Sequence, residues 1–138
     1  MTDFSLEYLD GETFTLSSAR GKVVLLNVWN SSSAPCRNAV PEIKKVYEQF
    51  RAVDDVVIWG VNSGEEPEKV REFLQEHHLP WPILLDSNSE TSNAYQIKHI
   101  PAFILIDKNG RWQYTRSGYS EWLAQELIWL LAAIRATK

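Results

Sequence analysis

Apolar and polar residues alternate at the start of the chain. Phe4, Leu6 and Tyr8 are separated by Ser5 and Glu7, and Phe14 and Leu16 resume the alternation beyond Asp10-Gly11. Period-two alternation on both sides of a turn pair predicts an N-terminal β-hairpin. The run Val23-Val24-Leu25-Leu26-Asn27-Val28-Trp29 is apolar at every position but one, the pattern of a central strand covered on both faces. After the polar stretch Asn30-Ser31-Ser32-Ser33 the period changes. Ala39, Val40, Ile43, Val46, Tyr47 and Phe50 recur at spacings of three and four, which predicts a helix of about 16 residues starting at Ala34. Pro35 suits its first turn, whereas Pro41 lies deep enough to kink it. Val56-Val57-Ile58-Trp59-Gly60-Val61 predicts a second buried strand, and strand, helix, strand in this order implies a parallel crossover.

Further along, Glu65 and Glu66 precede Pro67, a favourable first helical residue. Val70, Phe73, Leu74 and His77 form the apolar stripe of that helix, and Leu79-Pro80-Trp81-Pro82 ends it. Ile83-Leu84-Leu85 predicts a short strand and Ser89 to Tyr95 a short helix. Residues 102–106 and 111–116 pair across the turn Asp107-Lys108-Asn109-Gly110. Ser120 is the expected cap of a last helix carrying Trp122, Leu123, Leu127, Ile128, Leu131 and Ile134. No repeat or linker interrupts residues 1–138. The expectation is one α/β domain of three layers, a mixed sheet flanked by helices with the hairpin added.

Composition narrows the function classes. Of 138 residues, 44% are hydrophobic and 23% charged, which suits a globular core. The net charge of −4 argues against a nucleic-acid binder. No apolar run approaches the ~20 residues of a membrane span. Met1-Thr2-Asp3-Phe4 has neither a basic nor an apolar leader region, so the chain as numbered carries no export signal and reads as cytoplasmic, or as extracytoplasmic had a leader been removed. Cys36 is the single cysteine. It excludes an intrachain disulfide and a two-cysteine redox cycle. With His77, His78 and His99 it supplies too few ligands for zinc, and a Cys36/His99 pair is too sparse for copper, so neither metal nor cofactor is expected.

Candidate chemistry falls on the loop after the first long strand, because open α/β sheets place their sites at the carboxyl ends of strands. With Ser33 as N-cap, its hydroxyl accepts from the Cys36 N–H, and Cys36 becomes the third helical residue. The helix dipole and free N–H groups there are expected to lower the thiol pKa. The segment Gly21-Lys22-Val23-Val24-Leu25, with Asn27, Trp29, Pro35-Cys36-Arg37 and Pro41-Glu42, resembles the thioredoxin-like proteins of the ResA/TlpA type, thiol–disulfide oxidoreductases related to the AhpC/TSA proteins. Leu79-Pro80-Trp81-Pro82-Ile83-Leu84-Leu85-Asp86 and Ile100-Pro101-Ala102-Phe103 to Gly110 extend the resemblance over nearly the whole chain. It implies a thioredoxin-like fold and a protein or peptide partner bearing a thiol or disulfide.

One departure changes the expected activity. Where the family carries its nucleophilic cysteine this chain has Ser33, and Ser32 stands where the family has Trp. A hydroxyl does not replace a thiolate in disulfide exchange, so at most monothiol redox activity through Cys36 is expected. The resemblance further implies that Glu65 lies near the thiol, raising the pKa of both groups. It also implies that Pro101 is cis and faces the thiol loop. Trp29, Pro35, Ile100 and Pro101 are then the expected substrate-binding residues, with the Ile100 backbone pairing to an extended peptide. A non-catalytic peptide-binding module is the alternative. A one-cysteine peroxidase is a third reading, for which Ser33-Ala34-Pro35-Cys36 is half a motif, Trp29 stands in place of its proline, and Arg37 or Arg116 must approach the sulfur.

Overall fold

The structure, a computed structural model, describes residues 3–137. Its centre is β3 (Val23–Trp29), in which every side chain is buried. β3 pairs in parallel with β4 (Val56–Ser63), from Val23 opposite Val56 to Trp29 opposite Asn62. On its other side it pairs antiparallel with β6 (Ala102–Ile106), from Val24 opposite Ile106 to Val28 opposite Ala102. Successive strand residues point to opposite faces, so β3 feeds two cores. Val23, Leu25 and Trp29 pack with Ile43, Val46, Phe103, Leu127 and Leu131. Val24, Leu26 and Val28 pack with Leu6, Phe14, Tyr95 and Ile104. Each fully buried leucine or valine contributes about 1.5–3 kcal/mol, which makes β3 a major source of stabilisation.

α1 (Ala34–Phe50) covers the first core together with α4 (Leu123–Ala136). α1 continues through Pro41 to Phe50. The hairpin forms as expected, β1 (Ser5–Tyr8) against β2 (Thr13–Thr15). Leu16, read as part of its second strand, instead opens a 3-10 helix at Leu16–Ala19, where the Ser18 hydroxyl donates to the Thr15 carbonyl. α2 (Pro67–Glu76) sends Val70 into the first core, and His77 caps its end with its ring stacked on Phe73. β5 (Ile83–Asp86) lies parallel to β4 and antiparallel to β1. α3 (Glu90–Ala94) is started by the buried Asp86 carboxylate, which accepts from the Glu90 and Thr91 N–H groups. β7 (Trp112–Ser117) closes the sheet against β6, giving the order β2-β1-β5-β4-β3-β6-β7.

The start of α4 corrects the sequence reading. Trp122, not Ser120, is the N-cap residue, and no side chain of its own caps the helix. The Ser120 hydroxyl accepts from the Trp122 N–H one step earlier. The buried Glu42 of α1 supplies what is missing, accepting from the Ala124 N–H at 3.3 Å. A carboxylate at a helix amino end is favourable, and this one also ties α1 to α4.

Gly60 of β4 sits beneath two tryptophans. A Cβ built there would lie 2.9 Å from Ile83 Cδ1, 3.0 Å from Trp29 Nε1 and 3.2 Å from Trp81 Nε1. Both indoles are buried, and they close over the strand only because Gly60 has no side chain. Gly60→Ala is expected to lower stability in urea unfolding. The overpacking costs about 1–3 kcal/mol, more than the gain of under ~1 kcal/mol from stiffening the unfolded chain. An unchanged midpoint would show that the indoles yield without cost.

Candidate functional site

Where β3 runs out, the chain must surface and turn into α1, and the polar loop 30–33 makes that turn. The Asn30 side-chain oxygen accepts from the Ser32 and Ser33 N–H groups, both at 3.1 Å. Ser33 is the N-cap of α1 in extended conformation, and its hydroxyl accepts from the Cys36 N–H at 3.3 Å. Arg37 donates to the Ser31 carbonyl at 2.8 Å, and Lys69 of α2 donates to the Ser32 hydroxyl at 3.0 Å.

Cys36 is buried, 3% exposed, among the side chains of the first core. Burial pushes its thiol above the ordinary value, and the Glu65 carboxylate adds to the rise. The Ser33 hydroxyl, the Asn30 backbone and the Arg37 charge pull the other way without prevailing. The expected lowering by the helix amino end is therefore overturned, because withdrawing a thiolate from water costs more than the terminal N–H groups return.

Glu65, just ahead of α2, is also buried. One oxygen accepts from the Ser31 N–H at 2.7 Å and the Asn62 amide at 2.9 Å. The other accepts from the Ser31 hydroxyl at 2.7 Å and lies 3.5 Å from Lys69 Nζ. Burial alone raises a carboxyl pKa. Here the Ser31 hydroxyl, the Asn62 amide, the Ser31 N–H and Lys69 together outweigh it and hold Glu65 below the usual value. The expectation that Glu65 itself would be raised is thus corrected, because its environment offers donors on every side. Asn30, Asn62 and Lys69 were not singled out in the sequence. Asn30 before three serines was a readable turn signal, whereas Asn62 and Lys69 reach the loop only through tertiary structure.

The antiparallel register of β3 and β6 brings the residues before Ala102 beside this loop. The Ile100–Pro101 peptide is cis. Pro101 is buried, and its carbonyl accepts from the Gly118 N–H at 2.7 Å. Ile100 is half-buried, and among the described residues its N–H and C=O enter no backbone hydrogen bond of the loops and turns. Pro35 is exposed in the first turn of α1. Trp29, expected among the substrate-binding residues, is instead 4% exposed with its ring against Phe73, so it supports the loop from below. Arg116 is held by Glu126, Ser120 and the Ser117 and Gly118 carbonyls, away from the thiol. Asn27 donates to the Ala102 carbonyl at 3.4 Å. His99 is exposed, and among the described residues no three His, Cys, Asp or Glu side chains gather as metal ligands. No helix among the described residues is long and apolar enough to cross a membrane.

The sequence and the fold that carry this loop have counterparts among known proteins. Residues 1–115 match the profile of the AhpC/TSA family. The thiol-disulfide oxidoreductase ResA of Geobacillus thermodenitrificans is 36% identical over 109 residues, covering 79% of this chain and 62% of that protein. ResA of Halalkalibacterium halodurans is 32% identical over 130 residues, covering 94% and 73%. The chain thus spans about three-fifths of the first relative and more of the second. Among solved structures, a thiol:disulfide interchange protein DsbE from Chlorobium tepidum, assigned as putative in its description, superposes with a TM-score of 0.88 at 26% identity, covering 96% of this chain and 93% of its own. Fold, profile and relatives agree: the chain belongs to the AhpC/TSA family, as a thioredoxin-like protein of the ResA/TlpA type.

Proposed function

We propose that this chain uses the oxidoreductase scaffold to hold an extended peptide at the Ile100–Pro101 loop, with at most monothiol exchange through Cys36. One observation carries the reading. The N–H and C=O of Ile100 enter no loop or turn hydrogen bond among the described residues, while Cys36, the single cysteine of the sequence, is buried. An extended segment docking there gains main-chain hydrogen bonds and adds a strand-like pairing to the loop. Chemistry is limited by Ser33. When Cys36 is exposed, its thiolate attacks a partner disulfide, forms one mixed disulfide and releases the partner's other sulfur as a thiolate. With no second cysteine in the chain, an external thiol must then attack the mixed disulfide and regenerate Cys36. Peroxidase chemistry is less well supported, because it needs an exposed low-pKa thiolate, and although the Arg37 charge acts on the thiol, Cys36 is buried and its thiol is pushed up.

In a disulfide reductase assay the native chain is expected to show background turnover only, and Ser33→Cys is expected to raise it at least tenfold. That gain requires a disulfide-bearing segment to dock in the groove. A variant that folds but gains nothing shows that the scaffold no longer supports exchange and leaves peptide holding alone, whereas a native chain that already turns over without added thiol removes the proposal.

Native alkylation of Cys36 should be slow, with a pH midpoint above the ~8.5 of an unperturbed thiol, and unfolding should speed it. Fast native labelling with a midpoint below that value would mean an activated nucleophile.

The raised thiol also sets a stability trend. Because the folded pKa lies above the unfolded one, this contribution is complete below about pH 8.5 and is lost as pH rises through the folded value. Urea midpoints should therefore fall from about pH 8.5 upward, and Cys36→Ala should flatten that slope. An unaltered slope in the variant would assign the loss to other groups.

A further inference from the structure

β4 is paired on both sides along only part of its length. β3 accompanies it throughout, from Val23 opposite Val56 to Trp29 opposite Asn62. β5 begins only at Ile83, opposite Gly60. In a parallel ladder alternate residues turn their backbone groups to alternate neighbours. The Val23 N–H donates to the Asp55 carbonyl, so the odd-numbered residues of β4 serve β3. The Gly60 N–H donates to the Pro82 carbonyl at 2.9 Å, so the even-numbered residues face the β5 side. Val56 and Ile58 therefore direct their N–H and C=O groups to a side where β4 has no strand beside it. Neither residue enters a loop or turn hydrogen bond among the described residues. The ladder stops for a chemical reason, because the next donor in the β5 register is the nitrogen of Pro82, which carries no hydrogen.

A cleft opens on each face of this unpaired stretch. On the face of the first core, Tyr47, Phe50, Arg51 and Pro82 border about 170 Å³ beside Val56 and Ile58. On the opposite face, Tyr8, Phe14 and Lys22 border about 210 Å³ beside Val57 and Trp59. Successive side chains of a strand point to opposite faces, so one extended segment lying along Val56 and Ile58 reaches both clefts. Each cleft carries one cation, Arg51 or Lys22, and no acidic residue lines either. Both cations stand at the Val56 end, Lys22 just before the partner of Val56 and Arg51 at the end of α1. Lys22 enters no ion pair among the described residues. The Arg51–Glu48 pair is exposed on both members and so loosely held.

We propose that the unpaired part of β4 is a docking site for an extended acidic peptide segment. The segment adds as a strand beside Val56 and Ile58, sets apolar side chains alternately into the two clefts and places carboxylates against Lys22 and Arg51. Main-chain pairing supplies affinity and the clefts supply specificity. The site lies at the amino end of β4, whereas the thiol loop follows the carboxyl end of β3. Because the two strands are parallel, these are opposite ends of the sheet, and a segment docked here leaves the Ile100–Pro101 groove free.

The probe is acetyl-Asp-Glu-Val-Ile-Val-Ile-amide, with its reversed sequence to allow either strand direction. Titrated to millimolar concentration into the isotope-labelled whole chain, one of the two should shift the Val56 and Ile58 amide signals and slow exchange at both. The Ser33 and Ile100 signals should stay unmoved, which separates this site from the thiol-loop groove. The double variant Lys22→Glu with Arg51→Glu should weaken binding at least tenfold at an unchanged melting temperature, and Lys22→Glu alone serves should the pair not fold. The same peptide N-methylated at its apolar residues should bind at least tenfold more weakly. No shift at Val56 and Ile58 at millimolar peptide overturns the proposal. So does equal binding of the N-methylated peptide, equal binding to the charge-reversed variant, or a response confined to the Ser33 and Ile100 signals.

Discussion

A strand with no exposed side chain needs cover on both faces, and meeting that demand for β3 organises the molecule. Its odd-numbered residues require α1 and α4, and its even-numbered residues require the hairpin, the 3-10 turn and the residues around α3. Parallel pairing with β4 then forces the chain to cross over through α1. The crossover fixes where the amino end of α1 must lie, directly beyond Trp29. The thiol reaches its position through the same constraint. Cys36 follows the turn by one helical step, and the helix lies flat on the buried strand, so the side chain turns inward with Ala39 and Ile43. Burial of the only sulfur is thus a consequence of covering β3.

Two effects of opposite sign meet at that sulfur. The helix amino end offers N–H groups and a favourable dipole, effects of about 0.3–1 kcal/mol for exposed groups and up to ~2 kcal/mol when partly buried. Desolvating an ionised group costs more, up to several pKa units for a fully buried one. At 3% exposure the second effect wins. The opposite balance holds at Glu65, which is also buried yet remains acidic, because Ser31, Asn62 and Lys69 surround it with donors. Burial alone therefore does not decide the charge of a group. The number of hydrogen bonds waiting for its ionised form does.

This contrast explains what could be read from the sequence. The change of period at Ser33, the cap and the place of Cys36 in the first turn are local properties, and local patterns reveal them. The strands and the order of elements follow from alternation and runs for the same reason. The direction of the thiol shift was not legible, because it depends on which side chains from α2 and α4 arrive above α1. Leu16 continued an alternating pattern, yet Ser18 bonded back to Thr15 and turned the chain. Ser120 looked like a cap and does accept from the Trp122 N–H, but the helix begins only at Leu123, where Glu42 accepts from the Ala124 N–H across the fold. Trp29 ends a run whose pattern reads as covered on both faces, and its ring lies in the core against Phe73, whereas the resemblance had implied a place among the substrate-binding residues. Each difference arises where a residue distant in sequence competes with a local preference.

Serine at position 33 holds the start of α1, and on the proposed reading it leaves the loop without a nucleophilic sulfur. As an N-cap it accepts a hydrogen bond from the Cys36 N–H, an interaction worth about 0.5–2 kcal/mol. Four further side chains, from Asn30, Glu65, Arg37 and Lys69, hold the same loop. A loop that cycles a nucleophilic sulfur between partners must present that sulfur to solvent and yield to an incoming disulfide. A loop tethered at Asn30, Ser31, Ser32 and Ser33 resists such movement, and its remaining sulfur faces inward. Rigid loops beside an unpaired backbone segment suit recognition, where ordering the surface in advance reduces the entropy lost on docking. On the proposed reading, the serine that leaves the loop without a nucleophilic sulfur also helps to hold the surface on which a peptide would rest.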